Sequence, residues 1–150
     1  MTLIERLYNQ HKIPFGESML LNRLITERKQ DIRIAVEAFR LYEYYIGTSL
    51  EYWFMVSELT INKKFTLQFA RRIIRIKTEY ELNDEDTEQI IEGFDRFSFT
   101  NIEERQLIDI YEFKKDNKCD WKEAYRLYNE VLNDYIKEQT RINEMFNDNE

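Results

Sequence analysis

Apolar residues recur at spacings of three and four along almost the whole chain, the period of helices that bury one face. Leu3, Ile4, Leu7 and Tyr8 mark a first helix, which Pro14 and Gly16 end. Ser18 is placed to cap a second, carrying Met19, Leu20, Leu21, Leu24 and Ile25. Asp31 opens a third through Ile34, Ala35, Ala38, Leu41, Tyr42 and Tyr45, with Gly47 as its expected left-handed stop. Thr48-Ser-Leu-Glu51 reads as a capping box ahead of Trp53, Phe54, Val56 and Leu59.

Thr66 is the expected cap of a helix whose apolar side is Phe65, Phe69, Ile73, Ile76 and Tyr80. Asn83 or Asp84 begins the next, with acids placed to meet the positive end of its dipole. Thr100-Asn-Ile-Glu103 is a second capping box, before Leu107, Ile108, Tyr111 and Phe113. Asp120-Trp-Lys-Glu123 is a third cap signal, after which helix can run unbroken to Phe146, roughly 40 Å at 1.5 Å per residue. The pattern predicts an all-α fold, a single irregular bundle of about seven or eight helices with a long C-terminal helix. No composition shift marks a linker, so 1–146 reads as one domain and 147–150 as a polar tail.

Composition strengthens that picture. Three glycines and one proline in 150 residues fall far below the usual ~7% and ~5%, leaving few turn residues for sheets or long loops. Glu37-Ala-Phe-Arg-Leu-Tyr42 recurs as Glu123-Ala-Tyr-Arg-Leu-Tyr128, but that interval matches no helical-repeat period and reflects two amphipathic helices. No segment approaches the ~20 apolar residues of a membrane span. Cys119 is the only cysteine, which rules out a disulfide within the chain and fits a reducing interior. Richness in Ile, Lys, Asn, Glu and Tyr resembles the composition of low-GC bacteria and their phages, so the expected location is the cytoplasm of a bacterial host.

Charge is distributed abruptly. Between Asn62 and Thr78 stand six basic residues (Lys63, Lys64, Arg71, Arg72, Arg75, Lys77) and no acid; between Glu79 and Asp95 stand eight acids and no base. The whole chain is −7, so the basic segment stands against −13 elsewhere. Such segregation is either an internal clasp between neighbouring helices or a pair of faces offered to partners. Lys64, Gln68, Arg71, Arg72 and Arg75 follow one another at helical spacing, and clustered arginines suit bidentate contact with carboxylates or phosphates.

Signatures of catalysis or metal binding are sparse. His11 is the only histidine and lies at a helix end, the usual place of a dipole partner rather than a general base. One His and one Cys cannot make a zinc site. The acidic tracts fail the calcium-loop pattern: counted from Asp84, the required sixth-place glycine is Gln89. Three isolated glycines build no phosphate loop. Ile102–Tyr111 followed by Asp120–Ala124 has the outline of a helix-turn-helix, but acidic, aromatic helix continues where a polar recognition helix is required.

The expected function is therefore non-enzymatic binding of other macromolecules without a cofactor, as an inhibitor, adaptor or assembly subunit of phage or mobile-element type. Lys64, Arg71, Arg72 and Arg75 would meet an acidic surface. Asp84, Glu85, Asp86 and Glu88 would meet a basic one, such as a surface that normally holds nucleic acid. Tyr44, Tyr45, Tyr52 and Trp53 are candidate anchors, since their consecutive aromatics cannot all face one core. Tyr128, Tyr135 and Ile142, with Trp121, repeat every seven residues, the spacing of a homodimer seam. The alternative is a nucleic-acid-binding regulator that uses 63–77 as its contact helix.

Overall fold

A computed structural model describes residues 1–98 and 100–147; beyond Asn147 the polar tail lies outside the described residues. Among them are eight helices and no strand: α1 (Leu3–Asn9), α2 (Phe15–Arg28), α3 (Ile32–Tyr44), α4 (Leu50–Asn62), α5 (Leu67–Glu79), α6 (Asp84–Arg96), α7 (Glu104–Asn117) and α8 (Trp121–Asn147). The chain packs as two compact units, Met1–Leu82 and Asn83–Glu150. Composition carries no linker at that boundary because Asn83, which opens the second unit, is itself a helix cap.

Side-chain caps fix most helix starts. Thr2, Asp31, Ser49, Thr66 and Asn83 each accept a hydrogen bond from a backbone N–H in the first turn, and Asp120 Oδ1 accepts from Glu123 N at 2.8 Å ahead of α8. Each such cap contributes about 1 kcal/mol. Asp31 is further tied to Arg33, whose guanidinium hydrogen bonds hold its carboxyl below the usual carboxylate range.

Three caps differ from expectation. The first helix stops at Asn9, ahead of Pro14, and Pro14 is instead the N-cap of α2, so both Gly16 and Ser18 fall inside that helix. Ser18 is buried and its Oγ donates to Ile13 O at 3.0 Å, serving a loop carbonyl. Ser49 rather than Thr48 caps α4. Thr100 donates to Phe97 O in a turn, and Glu103 becomes N-cap of α7, its N–H donating to Gln106 Oε1 at 2.8 Å.

Helix ends use an unexpected residue type. Gly47 has the expected positive φ (+100°), two residues past the C-cap of α3. Elsewhere Lys29, Glu81 and Lys118 are left-handed, at φ of 53°, 51° and 50°. In each case the next residue's N–H reaches back five positions, to Ile25 O, Lys77 O and Lys114 O, the Schellman closure.

In the first unit α3 and α4 form the main helix pair, with α2 against both, α1 against α2 and α5 against α4. Leu21, Ile34, Trp53, Phe54, Val56, Ile73 and Ile76 are essentially inaccessible, each large apolar side chain contributing about 1.5–3 kcal/mol. Half-buried Glu58 ties α4 to the end of α2, accepting from Arg28 Nε and from Gln30 Nε2. In the second unit α7 packs on both α6 and α8. Buried Gly93 makes this possible: a Cβ there would stand 2.8 Å from Leu107 Cδ1 and 2.8 Å from the Trp121 ring.

Candidate protein-interaction site

The basic helix α5 buries Ala70, Ile73, Ile74 and Ile76, which turns the positions between them outward. Arg71, Arg72 and Arg75 are all exposed and, with Tyr52 of α4 and Gln68, Ile74, Thr78 and Glu79 of α5, line an open groove of about 540 Å³. Lys64 does not share this helix face. It precedes Thr66, the cap, in a left-handed conformation (φ 57°), so α5 has not yet begun where the charge pattern placed a helical cation.

Arg71 is the best-positioned of these groups. Its Nε donates to Tyr52 Oη at 3.1 Å. Its guanidinium carbon lies 5.0 Å from the ring centroid of Trp53, 5.5 Å from that of Tyr45 and 6.0 Å from that of Tyr52. Tyr45 and Trp53 stack at 4.9 Å, which fixes the aromatic floor under the cation. Among the described residues no carboxylate lies within ion-pairing distance of Arg71. An exposed cation–π contact is worth about 0.5–1 kcal/mol, comparable to an exposed salt bridge at ~0–1 kcal/mol. The rings therefore hold Arg71 about as firmly as a carboxylate would, without cancelling its charge.

Its neighbour Arg75 is ion-paired with Glu79, one turn on in the same helix, at 2.9 Å. The basic stretch thus meets an acid at its own end, where the sequence turns acidic. Among the aromatic candidates Tyr44 is 74% exposed and Tyr45 and Tyr52 are half-buried. Trp53 is fully buried, a correction to its place among the anchors: it offers a ring face to Arg71, not a surface to a partner.

The acidic candidates divide in a similar way. Asp84, Glu85 and Glu88 are exposed on the first turns of α6. Asp86 serves its own unit: its Oδ1 accepts from Tyr111 Oη at 2.6 Å, and Lys115 Nζ lies 3.6 Å away. Burial, then the hydrogen bond to the Asp86 carboxylate, raises the Tyr111 phenol well above its ordinary pKa.

A larger hollow of about 680 Å³ runs beside Gly16, Leu20 and the 46–49 loop, but Glu17 is the only charged residue lining it. Among the described residues, no three His, Cys, Asp or Glu side chains gather in a metal-binding cluster. His11 is exposed just beyond α1. Half-buried Cys119 directs its thiol at Phe113 O, 3.9 Å away. No helix among the described residues is long and apolar enough to cross a membrane.

On α8 the buried residues are Trp121 and Ala124. Tyr128 still touches Phe113, ring centroids 6.4 Å apart, whereas Tyr135 is exposed and Ile142 half-exposed. Of the other groove residues, Gln68 shares the arginines' helical ladder in the sequence and Glu79 is the first acid of the charge reversal, whereas Thr78, three residues after Arg75, carries no charge to mark it. No protein-family model, no curated protein and no solved structure matches the chain.

Proposed function

We propose that this is a non-enzymatic protein that acts by binding other proteins, an inhibitor, adaptor or assembly subunit of the kind that phages and mobile elements encode, working in the cytoplasm of a bacterial host. The observation that carries this reading is Arg71, an exposed cation held in place by three aromatic rings and left unpaired by any described carboxylate. A guanidinium fixed in this way loses little conformational entropy on contact and presents N–H donors to a partner carboxylate. Exposed Asp84, Glu85 and Glu88 supply a second, oppositely charged face. The exposed half of α8 supplies a third contact surface.

A protein partner is favoured over nucleic acid on charge. Glu79 stands in the groove and pairs with Arg75, and the chain as a whole is −7; both oppose a polyphosphate more than an acidic protein patch. The test is an anisotropy titration of random duplex DNA at low salt, run beside co-purification from the native host. A co-purifying protein with no saturable duplex binding supports the proposal. Saturable binding that weakens steeply with salt, with no protein partner, establishes the nucleic-acid regulator using 63–77 instead.

A further inference from the structure

Past Ala124 no described residue of α8 is buried, yet apolar side chains continue to its end. Tyr128, Tyr135 and Ile142 recur every seven residues, with Val131 and Met145 three positions after the first and last. Val131, Tyr135, Met145 and Phe146 are 55%, 61%, 55% and 71% exposed. A seam with this spacing fits a second helix, and its one charged position identifies which helix. Glu138 stands three residues after Tyr135, between Val131 and Met145 on the seam.

Two parallel copies in register would set Glu138 against Glu138 inside an apolar seam, an unfavourable meeting of like charges. The flanking positions would give no compensation, since Asp134 would face Gln139 and Arg141 would face Phe146. Antiparallel copies behave differently. Tyr128 then faces Met145, Val131 faces Ile142, and Tyr135 faces Glu138, so a phenol can donate to the carboxylate. Glu138 is already paired with Arg141 of its own chain at 2.6 Å, which holds its pKa low and keeps it an acceptor. The same register sets Asp134 beside the second copy's Arg141, twice by symmetry. It also carries Met145 and Phe146 to the hollow of about 370 Å³ that Phe113, Tyr128, Val131 and Leu132 help to line.

Resting on the reading of α8 as a contact surface, we propose that its occupant is a second copy of this chain, paired antiparallel in this register. The overlap of 128–145 spans about 26 Å of helix. Sedimentation equilibrium of the full chain tests the association. The proposal expects a dimer, and expects Ile142→Asp to raise its Kd ~100-fold or more with helicity unchanged, because Ile142 lies well past the buried part of α8.

Orientation is read by cysteines in a Cys119→Ser background. Under mild oxidation a mixture of the Val131→Cys and Ile142→Cys variants should cross-link, while neither should alone. A chain that stays monomeric at its highest soluble concentration overturns the proposal, as does cross-linking of Val131→Cys by itself, which marks a parallel pair. If the chain is monomeric but Ile142→Asp loses a host protein that the parent retains, self-pairing falls and the contact-surface reading stands. If it is monomeric and Ile142→Asp retains every host protein, both fall.

Discussion

Arg71 and Asp86 show how one side chain's surroundings decide what a charge can do. Both were legible as charged positions on amphipathic helices, but only packing separates the one that stays exposed from the one that is spent internally. Arg71 rests on rings, whereas Asp86 binds Tyr111. Trp53 was misplaced for a related reason: a run of three aromatics says that some must be exposed, not which. The Asp86–Tyr111 contact makes a pH prediction. Because the folded state raises the phenol's pKa, it holds the proton more tightly than the unfolded state. The stabilisation is complete below the unfolded value near 10 and is lost as pH rises from there through the folded value. Tyr111→Phe should cost about 1.5–3 kcal/mol near neutrality, the worth of a hydrogen bond to a charged group. In urea unfolding, its deficit relative to the parent should shrink as pH climbs past ~10; a deficit that is constant or grows contradicts the assignment.

At the scale of the elements, periodicity and caps made the count of eight helices readable, and Thr66, Asn83 and Asp120 cap where their sequence contexts place them. Starts slipped where two candidates lie close together. Thr48 precedes Ser49, and Thr100 competes with Glu103, so local geometry chose between them. Ends were harder to see because lysine and glutamate occupy left-handed positions usually given to glycine. Lys29 and Lys118 offset part of that strain by placing a cation at a helix C-terminus. Gly93 carries no signal in the sequence beyond its rarity, yet it sets how closely α6 meets Leu107 and Trp121. Gly→Ala within a helix ordinarily gains up to ~1 kcal/mol. Here the 2.8 Å approaches reverse the sign, and Gly93→Ala should destabilise by about 1–3 kcal/mol. Thermal unfolding at or above the parent's midpoint would show that Leu107 and Trp121 yield without cost.

Across the whole molecule the charge reversal coincides closely with the division of the chain. Residues 1–82 hold 13 basic and 10 acidic side chains, net +3, and residues 83–150 hold 9 and 19, net −10. The abrupt switch at Glu79 is therefore the local sign of a difference between two units, each closed or opened by its most strongly charged helix. Composition could not reveal the division, since no glycine- or proline-rich linker accompanies it. The partners of Arg71 and Asp86 belong to their own units, Tyr52 in one and Tyr111 in the other. The proposed engagement of an acidic protein by Arg71, Arg72 and Arg75 is read by affinity purification from nuclease-treated host lysate. The parent chain should retain a specific protein that an Arg71→Ala, Arg72→Ala, Arg75→Ala variant loses while keeping its helical circular dichroism. Retention of the same protein by the folded variant, or collapse of the variant's fold, would contradict the claim and return these arginines to a structural role.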